Sequence, residues 1–160
     1  MHERTPQIRE AAFPADSLGL RSIIQDYVDW LDMELSERFI AETAALEQLF
    51  SAPSGLFLVA EAEREIAGCV GLLRHSDAVA EVKRLFVRPA YRGAALGERL
   101  VASLMDRARS LGYARLVLNT VPRTRAAQVL YQRFGFTETA PYYEAPVEGM
   151  QFFEMALKRG

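Results

Sequence analysis

Residues 81–97, EVKRLFVRPAYRGAALG, combine residue types that suit the binding of an anion. An apolar run stops at Pro89, an Arg-Gly pair and small residues follow, and an amphipathic helix begins near Leu96. The segment therefore predicts a strand, a tight turn and a helix N-terminus, with few side chains covering the turn. Unpaired backbone N–H groups at the positive end of a helix dipole favour an anionic ligand, typically a phosphate. The spacing differs from the glycine patterns of dinucleotide folds and P-loops.

The stretch VRPAYRGAALG resembles the acyl-CoA-binding motif of the GNAT superfamily of N-acyltransferases, Gln/Arg-x-x-Gly-x-Gly/Ala. Arg92 fills the first position and Gly97 the last, whereas Ala95 stands where the middle glycine is usual. A second stretch, residues 116–136, resembles the family's strand followed by Ala-x-x-Leu-Tyr-x-x-x-Gly-Phe, and Tyr131 is its tyrosine. The two motifs occur in the family's order, and the resemblance, which is to bacterial members, extends over residues 1–160 as a single GNAT acetyltransferase domain.

The elements that would position these motifs follow from apolar periodicity. A short strand over residues 7–12 precedes a helix that Asp16 caps and a second helix over residues 37–50. Strands and helices then alternate as β-β-β-α-β-α-β-β, ending in a strand over residues 149–157. This order favours a mixed sheet with helices on both faces. The resemblance implies the same α/β architecture, the GNAT fold, with a central mixed, mostly antiparallel sheet of about seven strands.

The resemblance implies that acyl-CoA binds along this strand and turn. Its pyrophosphate would contact the turn amides and its pantetheine arm would pair with the strand, where the Val87 N–H would polarise the thioester carbonyl. We expect the strand that ends at Asn119 and Thr120 to splay away from residues 85–87 to admit the arm. Asn119 is assigned either to the acyl arm or to the backbone at that opening. The predicted cofactor contacts are Leu85, Phe86, Val87, Arg92, Gly93, Ala94, Ala95, Leu96, Gly97, Asn119 and Arg125.

Three residues are assigned to the chemistry by the resemblance: Tyr131, Glu81 and Val87. A phenol can protonate a departing thiolate, so Tyr131 is the candidate general acid; its alternative role is to fill the core. Glu81 is the candidate base for the attacking amine, directly or through water, or else a solvent-exposed or ion-paired carboxylate. Strand alternation predicts that Glu81, Lys83, Leu85 and Val87 lie on one face.

The acceptor side of the site is less defined by sequence. In this fold the early helices and the late hairpin wall the acceptor pocket. They bring acids and aromatic rings, which would suit a cationic amine by charge and by cation–π attraction; alternatively, the acids form the solvated face of the first helix. The residues concerned are Asp26, Tyr27, Asp29, Trp30, Asp32, Glu34, Glu37, Tyr142 and Tyr143. Thr124, where the family often has Asn, is expected to cap a helix.

Composition excludes several other classes of protein. Half of the 160 residues are hydrophobic and a quarter are charged, which is typical of a globular protein. The amino-terminal sequence MHERTPQIRE has no hydrophobic signal segment, and a lone cysteine, Cys69, fits a reducing compartment, so we expect a cytoplasmic protein. Cys69 and His75 could form a ping-pong acyl-enzyme site, but a cysteine in an apolar strand is usually a core residue. Two histidines and one cysteine give no metal-ligand spacing, so no metal is expected.

The charges divide the chain into two parts. Residues 1–80 carry six Lys/Arg against fourteen Asp/Glu, and residues 81–135 carry eleven against three. Such asymmetry suggests two kinds of partner, and the basic part holds the phosphate-type turn. We expect neither a nucleic-acid nor a membrane partner, because no nucleic-acid module and no apolar run of membrane-spanning length occur.

The functional prediction is N-acetyl transfer from acetyl-CoA to a primary amine of a small molecule, by direct attack in a ternary complex. The main alternative is a non-catalytic acyl-CoA-binding module that senses or regulates, and a weaker one is a binder of another polyanion. The resemblance also allows a homodimer. The acceptor and the acyl-chain preference are not encoded in these motifs.

Overall fold

A seven-stranded sheet forms the centre of the computed structural model, which describes residues 5–144 and 147–158. The spatial order is β1-β2-β3-β4-β5-β7-β6, and every neighbouring pair is antiparallel except β4 and β5, which are parallel. The mixed, mostly antiparallel sheet is therefore confirmed. The strands are β1 (Gln7–Glu10), β2 (Gly55–Ala62), β3 (Glu65–Arg74), β4 (Val79–Val87), β5 (Arg115–Thr120), β6 (Thr137–Thr139) and β7 (Gln151–Ala156).

The helices of the described residues pack on both faces of this sheet. Two clusters of buried apolar side chains lie on opposite faces, one under α4 and the other under α1. The central strand β3 is consequently buried along almost its whole length. The helices are α1 (Ser17–Leu31), α2 (Glu37–Ala44), α3 (Leu46–Leu49), α4 (Leu96–Ser110) and α5 (Ala126–Phe134).

Two expectations about the first helices are wrong in detail. The helix predicted over residues 37–50 is interrupted at Ala45, whose backbone leaves the helical region, so that it forms α2 and α3. Asp16 does precede α1, but its side chain makes no capping bond. It accepts instead from Ala12 N at 2.7 Å and from Arg9 at 2.7 and 2.9 Å, and so ties the preceding loop to β1.

The charge asymmetry of the sequence is partly neutralised within the fold. Basic residues of the second half pair with acidic residues of the first half, as in the contacts Arg88–Asp26 and Arg107–Glu10 and the buried pair Arg84–Glu42 at 3.1 Å. Much of the basic segment therefore serves to join the two halves of the chain. No helix within the described residues is long and apolar enough to cross a membrane. The amino-terminal sequence MHERTPQIRE is expected to contain no signal segment. Its first residues, 1–4, lie outside the described residues.

Candidate active site

Strands β4 and β5 separate after a short stretch of pairing. Only residues 79–81 of β4 pair with residues 115–117 of β5, although both strands continue further. The predicted splay is therefore confirmed. The opening is a cavity of about 550 Å³, which we call the β4–β5 groove. It is lined by Tyr27, Trp30, Val82, Arg84, Leu85, Val87, Arg92, Gly93, Gly97, Asn119, Thr120, Thr124, Ala126, Ala127, Leu130 and Tyr131.

A β-bulge in β4 changes which side chains face the groove. The pairing with β3 shifts by one residue between Phe86 and Lys83, and Arg84 has a φ of 54°. Val82 and Leu85 consequently pack on the same face, whereas Phe86 belongs to the opposite cluster. The expectation that Glu81, Leu85 and Val87 share a face is therefore wrong, because the extra residue reverses the alternation.

The backbone N–H of Val87 points toward the groove. The Arg88 N–H donates to Ala67 O of β3 at 2.9 Å, and successive N–H groups of a strand point in opposite directions. The Val87 N–H thus lies on the edge that β5 has left. Its carbonyl accepts from Arg92 Nε at 2.9 Å, which fixes the turn against the end of β4.

The turn before α4 requires two residues in the left-handed region. Gly93 has a φ of 94°, and Ala95, the residue directly before α4, has a φ of 56°. A non-glycine residue in this conformation costs about 1–2 kcal/mol. The usual glycine at the position of Ala95 therefore has a backbone reason, independent of any ligand.

Gly97 has a different role, because the protein itself does not require it to be glycine. A Cβ built there would lie 3.7 Å from Leu130 and 3.9 Å from Val87, in ordinary van der Waals contact. Gly97 lies in the first turn of α4 and lines the groove. Its missing side chain leaves room in the groove and offers a bare helix N-terminus, which fits the phosphate end of an acyl-CoA.

Four other predicted cofactor contacts lie outside the lining of the groove. Ala94 is exposed in the turn, and Leu96 is buried under α4, so that only their backbone groups face the turn. The Phe86 ring packs on Tyr27 and Trp30 at centroid distances of 5.4 and 5.8 Å. Arg125 is exposed directly before α5. None of these four residues lines the groove with its side chain.

Thr124 does not cap α5. Its hydroxyl accepts from Val121 N at 2.9 Å and donates to Val121 O at 3.1 Å, within the short 3₁₀ turn Pro122–Thr124 that precedes α5. The expected helix cap is thus replaced by a side chain that closes the loop after β5.

Tyr131 lies on α5 at the wall of the groove and is only 6% exposed. Burial, with a smaller contribution from Tyr27, raises the pKa of its hydroxyl well above the ordinary value. The phenol therefore stays protonated at neutral pH. The two roles considered for Tyr131, general acid and core residue, are compatible, since the ring packs on Phe136 at 5.6 Å while the residue lines the groove.

A second cavity, of about 110 Å³, adjoins the groove; we call it the charged cavity. Five residues line both spaces: Tyr27, Val82, Arg84, Asn119 and Thr124. The remaining lining residues come mainly from the end of α1, from α2 and from the segment before β7. They are Leu31, Met33, Glu34, Leu35, Ser36, Arg38, Phe39, Glu42, Lys83, Val121, Tyr143, Val147 and Met150.

Glu81 lies behind this cavity and is only 1% exposed. Its Oε1 contacts two cations, Lys83 Nζ at 3.1 Å and Arg38 Nη2 at 3.4 Å. Its Oε2 accepts from the Tyr142 hydroxyl at 2.6 Å and from Asn119 Nδ2 at 3.3 Å. The carboxylate is therefore held by four donors, and it is ion-paired rather than solvent-exposed, with Lys83 and Arg38 instead of Arg84 as its partners.

Asn119 joins this cluster rather than standing free in the groove. Besides Glu81, its Nδ2 lies 2.6 Å from the Tyr143 hydroxyl and 3.4 Å from the Tyr142 hydroxyl. Burial and the charge of Glu81 raise the pKa of Tyr143 to about 12, and burial raises that of Tyr142 further. Of the two predicted aromatic residues of the late hairpin, Tyr143 therefore lines the charged cavity, whereas Tyr142 contacts Glu81 without lining either space.

Sequence reasoning missed Arg38, Glu42 and Lys83. Glu42 is 7% exposed and lies 3.0 Å from Lys83 and 3.3 Å from Arg38. Although burial alone would raise the pKa of Glu42, Lys83 and Arg84 together lower it. One signal was available: Lys83 and Arg84 are charged residues in the middle of an otherwise apolar strand, and such residues are almost never buried without partners.

The acids of α1 do not line the charged cavity. Asp26 pairs with Arg88, Asp29 accepts from Gln25 at 2.9 Å, and both are exposed. They form the solvated face of α1, which was the alternative interpretation. Glu34 lines the cavity from an exposed position, whereas Asp32 and Glu37 do not line it.

Cys69 is a core residue. It is fully buried, its Sγ lies 3.5 Å from Arg84 O, and burial raises its pKa to about 12. His75 is exposed beside Tyr142, and within the described residues it makes no hydrogen bond to the thiol. Among the described residues, no group of three or more His, Cys, Asp or Glu side chains is placed to hold a metal ion.

The β4–β5 groove, with the N-terminus of α4 and Tyr131 on its wall, has the shape and the backbone donors that suit an acyl-CoA. The chain belongs to the acetyltransferase (GNAT) family, whose model matches residues 20–136. It is accordingly an acyltransferase that uses acetyl-CoA, and its acceptor is an amine.

One relative supports the family membership, and two solved structures share the fold. An uncharacterised N-acetyltransferase of Schizosaccharomyces pombe is 32% identical over 155 residues, which is 95% of each chain. An acetyltransferase of Streptococcus agalactiae has a similar fold, with a TM-score of 0.82 at 22% identity over 96% of this chain and 99% of that one. A Salmonella typhimurium structure, described with its cofactor acetyl-CoA, has a TM-score of 0.70 at 24% identity over 97% and 95% of the two chains.

Proposed function

We propose that the protein acetylates the primary amine of a small molecule, with acetyl-CoA and the amine bound at the same time. The observation that carries the proposal is the junction of two spaces at Asn119 and Arg84. One space suits an extended acyl-CoA arm and the other suits an acceptor. An acceptor in the charged cavity would face a thioester in the β4–β5 groove, which favours direct attack.

The groove supplies positions for the donor. The Val87 N–H is free of β3 and would polarise the thioester carbonyl. The amides of the turn from Arg92 to Gly97 would hold the pyrophosphate, and Arg125, exposed directly before α5, would add positive charge. Phe86, Ala94, Ala95 and Leu96 would contribute through the backbone.

The reaction forms a C–N bond between the amine and the acetyl carbon and breaks the C–S bond. The amine's proton would pass to Glu81 through a water molecule, because a carboxylate that is 1% exposed is not reached directly. The departing sulfur would take a proton from the hydroxyl of Tyr131, which burial keeps protonated. Glu81 then loses a proton and Tyr131 regains one, so the sum is one amide and one free thiol.

The size of the charged cavity favours a small acceptor. Its volume of about 110 Å³ is bounded by the end of α1, by α2 and by residues 147 and 150. A homodimer, which the resemblance allows, stays a prediction that light scattering of the purified protein would test.

Calorimetry with acetyl-CoA is the first test, with inorganic pyrophosphate as the control. Saturable binding of acetyl-CoA that pyrophosphate does not reproduce is the expected result. Initial rates at varied concentrations of both substrates then separate the mechanisms. Intersecting double-reciprocal lines are expected for a ternary complex. Parallel lines, together with loss of activity in Cys69→Ala, would replace direct attack by an acyl-enzyme route.

A further inference from the structure

The charges around the charged cavity exceed what acetyl transfer requires. Three cations line it, Arg38, Lys83 and Arg84. Two carboxylates are buried with them, Glu42 and Glu81, which are 7% and 1% exposed. Lys83 and Arg84 balance Glu42 and Glu81, and Arg38 adds a positive charge at the exposed rim of the cavity.

Arg84 is held in place by the protein. Its Nη1 donates to Glu42 at 3.1 Å, and its Nη2 donates to Phe39 O at 3.0 Å and to Thr43 Oγ1 at 2.9 Å. Its Nε is buried without a hydrogen-bond partner among the described residues. These three bonds join α2 to the bulge of β4 and hold the guanidinium against α2.

Lys83 and Arg38 keep donors for a ligand. Lys83 Nζ contacts Glu42 at 3.0 Å and Glu81 at 3.1 Å, and an ammonium has three donors. Arg38 uses Nε toward Glu42 and Nη2 toward Glu81, so within the described residues Nη1 makes no hydrogen bond. The Tyr143 ring, 4.1 Å from the guanidinium carbon, holds the Arg38 head group at the rim.

One further acid, Glu34, contributes to the net charge of the cavity. Glu34 lines the cavity, but it is exposed and forms no ion pair with these cations among the residues described. Arg38 is exposed at the same rim, so water screens both of these charges. The side-chain arrangement therefore presents two neighbouring cationic donors, Lys83 inside the cavity and Arg38 at its exposed rim.

We propose that the acceptor is an amine that carries its own carboxylate close to the amino group, as an α-amino acid does, and that Arg38 and Lys83 bind this carboxylate. The proposal rests on the proposed acetyl transfer. Arg38 and Lys83 both contact Oε1 of Glu81, the group assigned to the amine's proton. An anion held by these two residues and an amine served by Glu81 must therefore lie within a few ångströms of each other.

The rest of the cavity indicates the acceptor's side chain. Its wall includes the apolar residues Leu31, Met33, Leu35, Val147 and Met150. A charged or strongly polar substituent would be desolvated there without a partner. The inferred class is therefore an apolar α-amino acid, which differs from the cationic amine that the acids of α1 had suggested.

Matched acceptors test the inference directly. Leucine, methionine and phenylalanine are each compared with the corresponding α-amino amide and with the amine that lacks the carboxyl group, by thiol release from acetyl-CoA. The free amino acids are expected to have a kcat/KM about 10- to 100-fold above that of their neutral partners, as a charge-assisted hydrogen bond implies. An equal or higher kcat/KM for the amides or amines would overturn the inference. A preference for the amides would indicate that the acceptor is a peptide N-terminus.

The variant Arg38→Ala tests whether Arg38 binds the carboxylate of the acceptor. It should raise KM for the preferred amino acid about 10- to 100-fold and leave KM for the decarboxylated amine and for acetyl-CoA unchanged. Arg109→Ala removes the same charge from the exposed end of α4 and should change none of these values. An equal loss with the amino acid and the amine would contradict carboxylate binding by Arg38.

Binding without turnover separates the inference from the proposed function. In the presence of CoA, N-acetyl-phenylalanine should raise the melting temperature more than N-acetyl-phenethylamine does, and Arg38→Ala should abolish the difference. Thiol release with neutral amines alone would retain acetyl transfer and reject the carboxylate. Absence of thiol release with every amine tested, despite binding of acetyl-CoA, would reject the proposed function and this inference with it.

Discussion

The β4–β5 groove and the charged cavity adjoin at Asn119, yet they are built in different ways. The groove offers backbone groups, a bare helix N-terminus and the phenol of Tyr131, which come from residues 82–97 and 119–131, with Tyr27 and Trp30 of α1 completing its wall. The charged cavity depends on ion pairs between residues about 40 positions apart, such as Arg38 with Glu81. A site made of local backbone geometry can be inferred from a motif, whereas a site made of distant side chains depends on how the elements pack.

The largest effect on activity is expected at Tyr131, the candidate general acid on the wall of the groove. Tyr131→Phe should lower kcat about 10²- to 10⁴-fold with little change in acetyl-CoA affinity, because the hydroxyl alone is lost and the ring still packs on Phe136. Steady-state kinetics and calorimetry measure the two quantities. Tyr113→Phe, at a partly buried tyrosine outside both spaces, is the control. An unchanged kcat in Tyr131→Phe would remove this residue from the mechanism.

The charged cavity should be the more sensitive region for stability. Arg84→Met leaves Glu42 with Lys83 and Arg38 alone and removes the donors to Thr43 and Phe39 O, so the free energy of unfolding should fall by about 1–3 kcal/mol. Urea unfolding followed by circular dichroism measures the change. Arg109→Met, at an exposed position, should stay within about 0.5 kcal/mol of the parent. A loss below about 1 kcal/mol for Arg84→Met would mean that the pair does not join α2 to β4.

Gly97 should separate binding from stability. In Gly97→Ala the added methyl meets only ordinary contacts, so stability should hold or rise by up to about 1 kcal/mol. The same methyl enters the space of the groove, and acetyl-CoA affinity should fall about 10-fold, which is about 1.4 kcal/mol. Thermal unfolding and calorimetry give the two numbers. Unchanged affinity would place the cofactor's phosphates away from this helix N-terminus.

The smallest effect concerns the turn. Ala95→Gly relieves a left-handed alanine, and after the entropy cost of glycine the gain should be about 0.5–1 kcal/mol, or roughly 1–4 °C in melting temperature. Ala102→Gly, at an exposed position within α4, should have the opposite sign and cost about 1 kcal/mol. If both substitutions destabilise the protein equally, the strain assigned to Ala95 is absent.

Several structural expectations failed where neighbours in space decided the outcome. Alternation along β4 would place Glu81 with Leu85, but a bulge at Arg84 reverses the faces, because Arg84 turns toward Glu42 and Thr43 of α2. No pattern within β4 alone predicts that. The acids of α1 suggested a site for a cationic amine, yet Asp26 is taken by Arg88, which follows β4 in the chain.

The sequence by itself determined the order of helices and strands along the chain, the opening between β4 and β5, the turn from Arg92 to Gly97 and the place of Tyr131 on the helix after β5. These features depend on periodicity and on contiguous motifs, whose backbone geometry is set by neighbouring residues. Only the tertiary structure decided that Glu81 is buried among Lys83, Arg38, Asn119 and Tyr142. The physical reason is that an ion cluster requires several distant elements to meet in one register, and that register is fixed by packing of the whole fold.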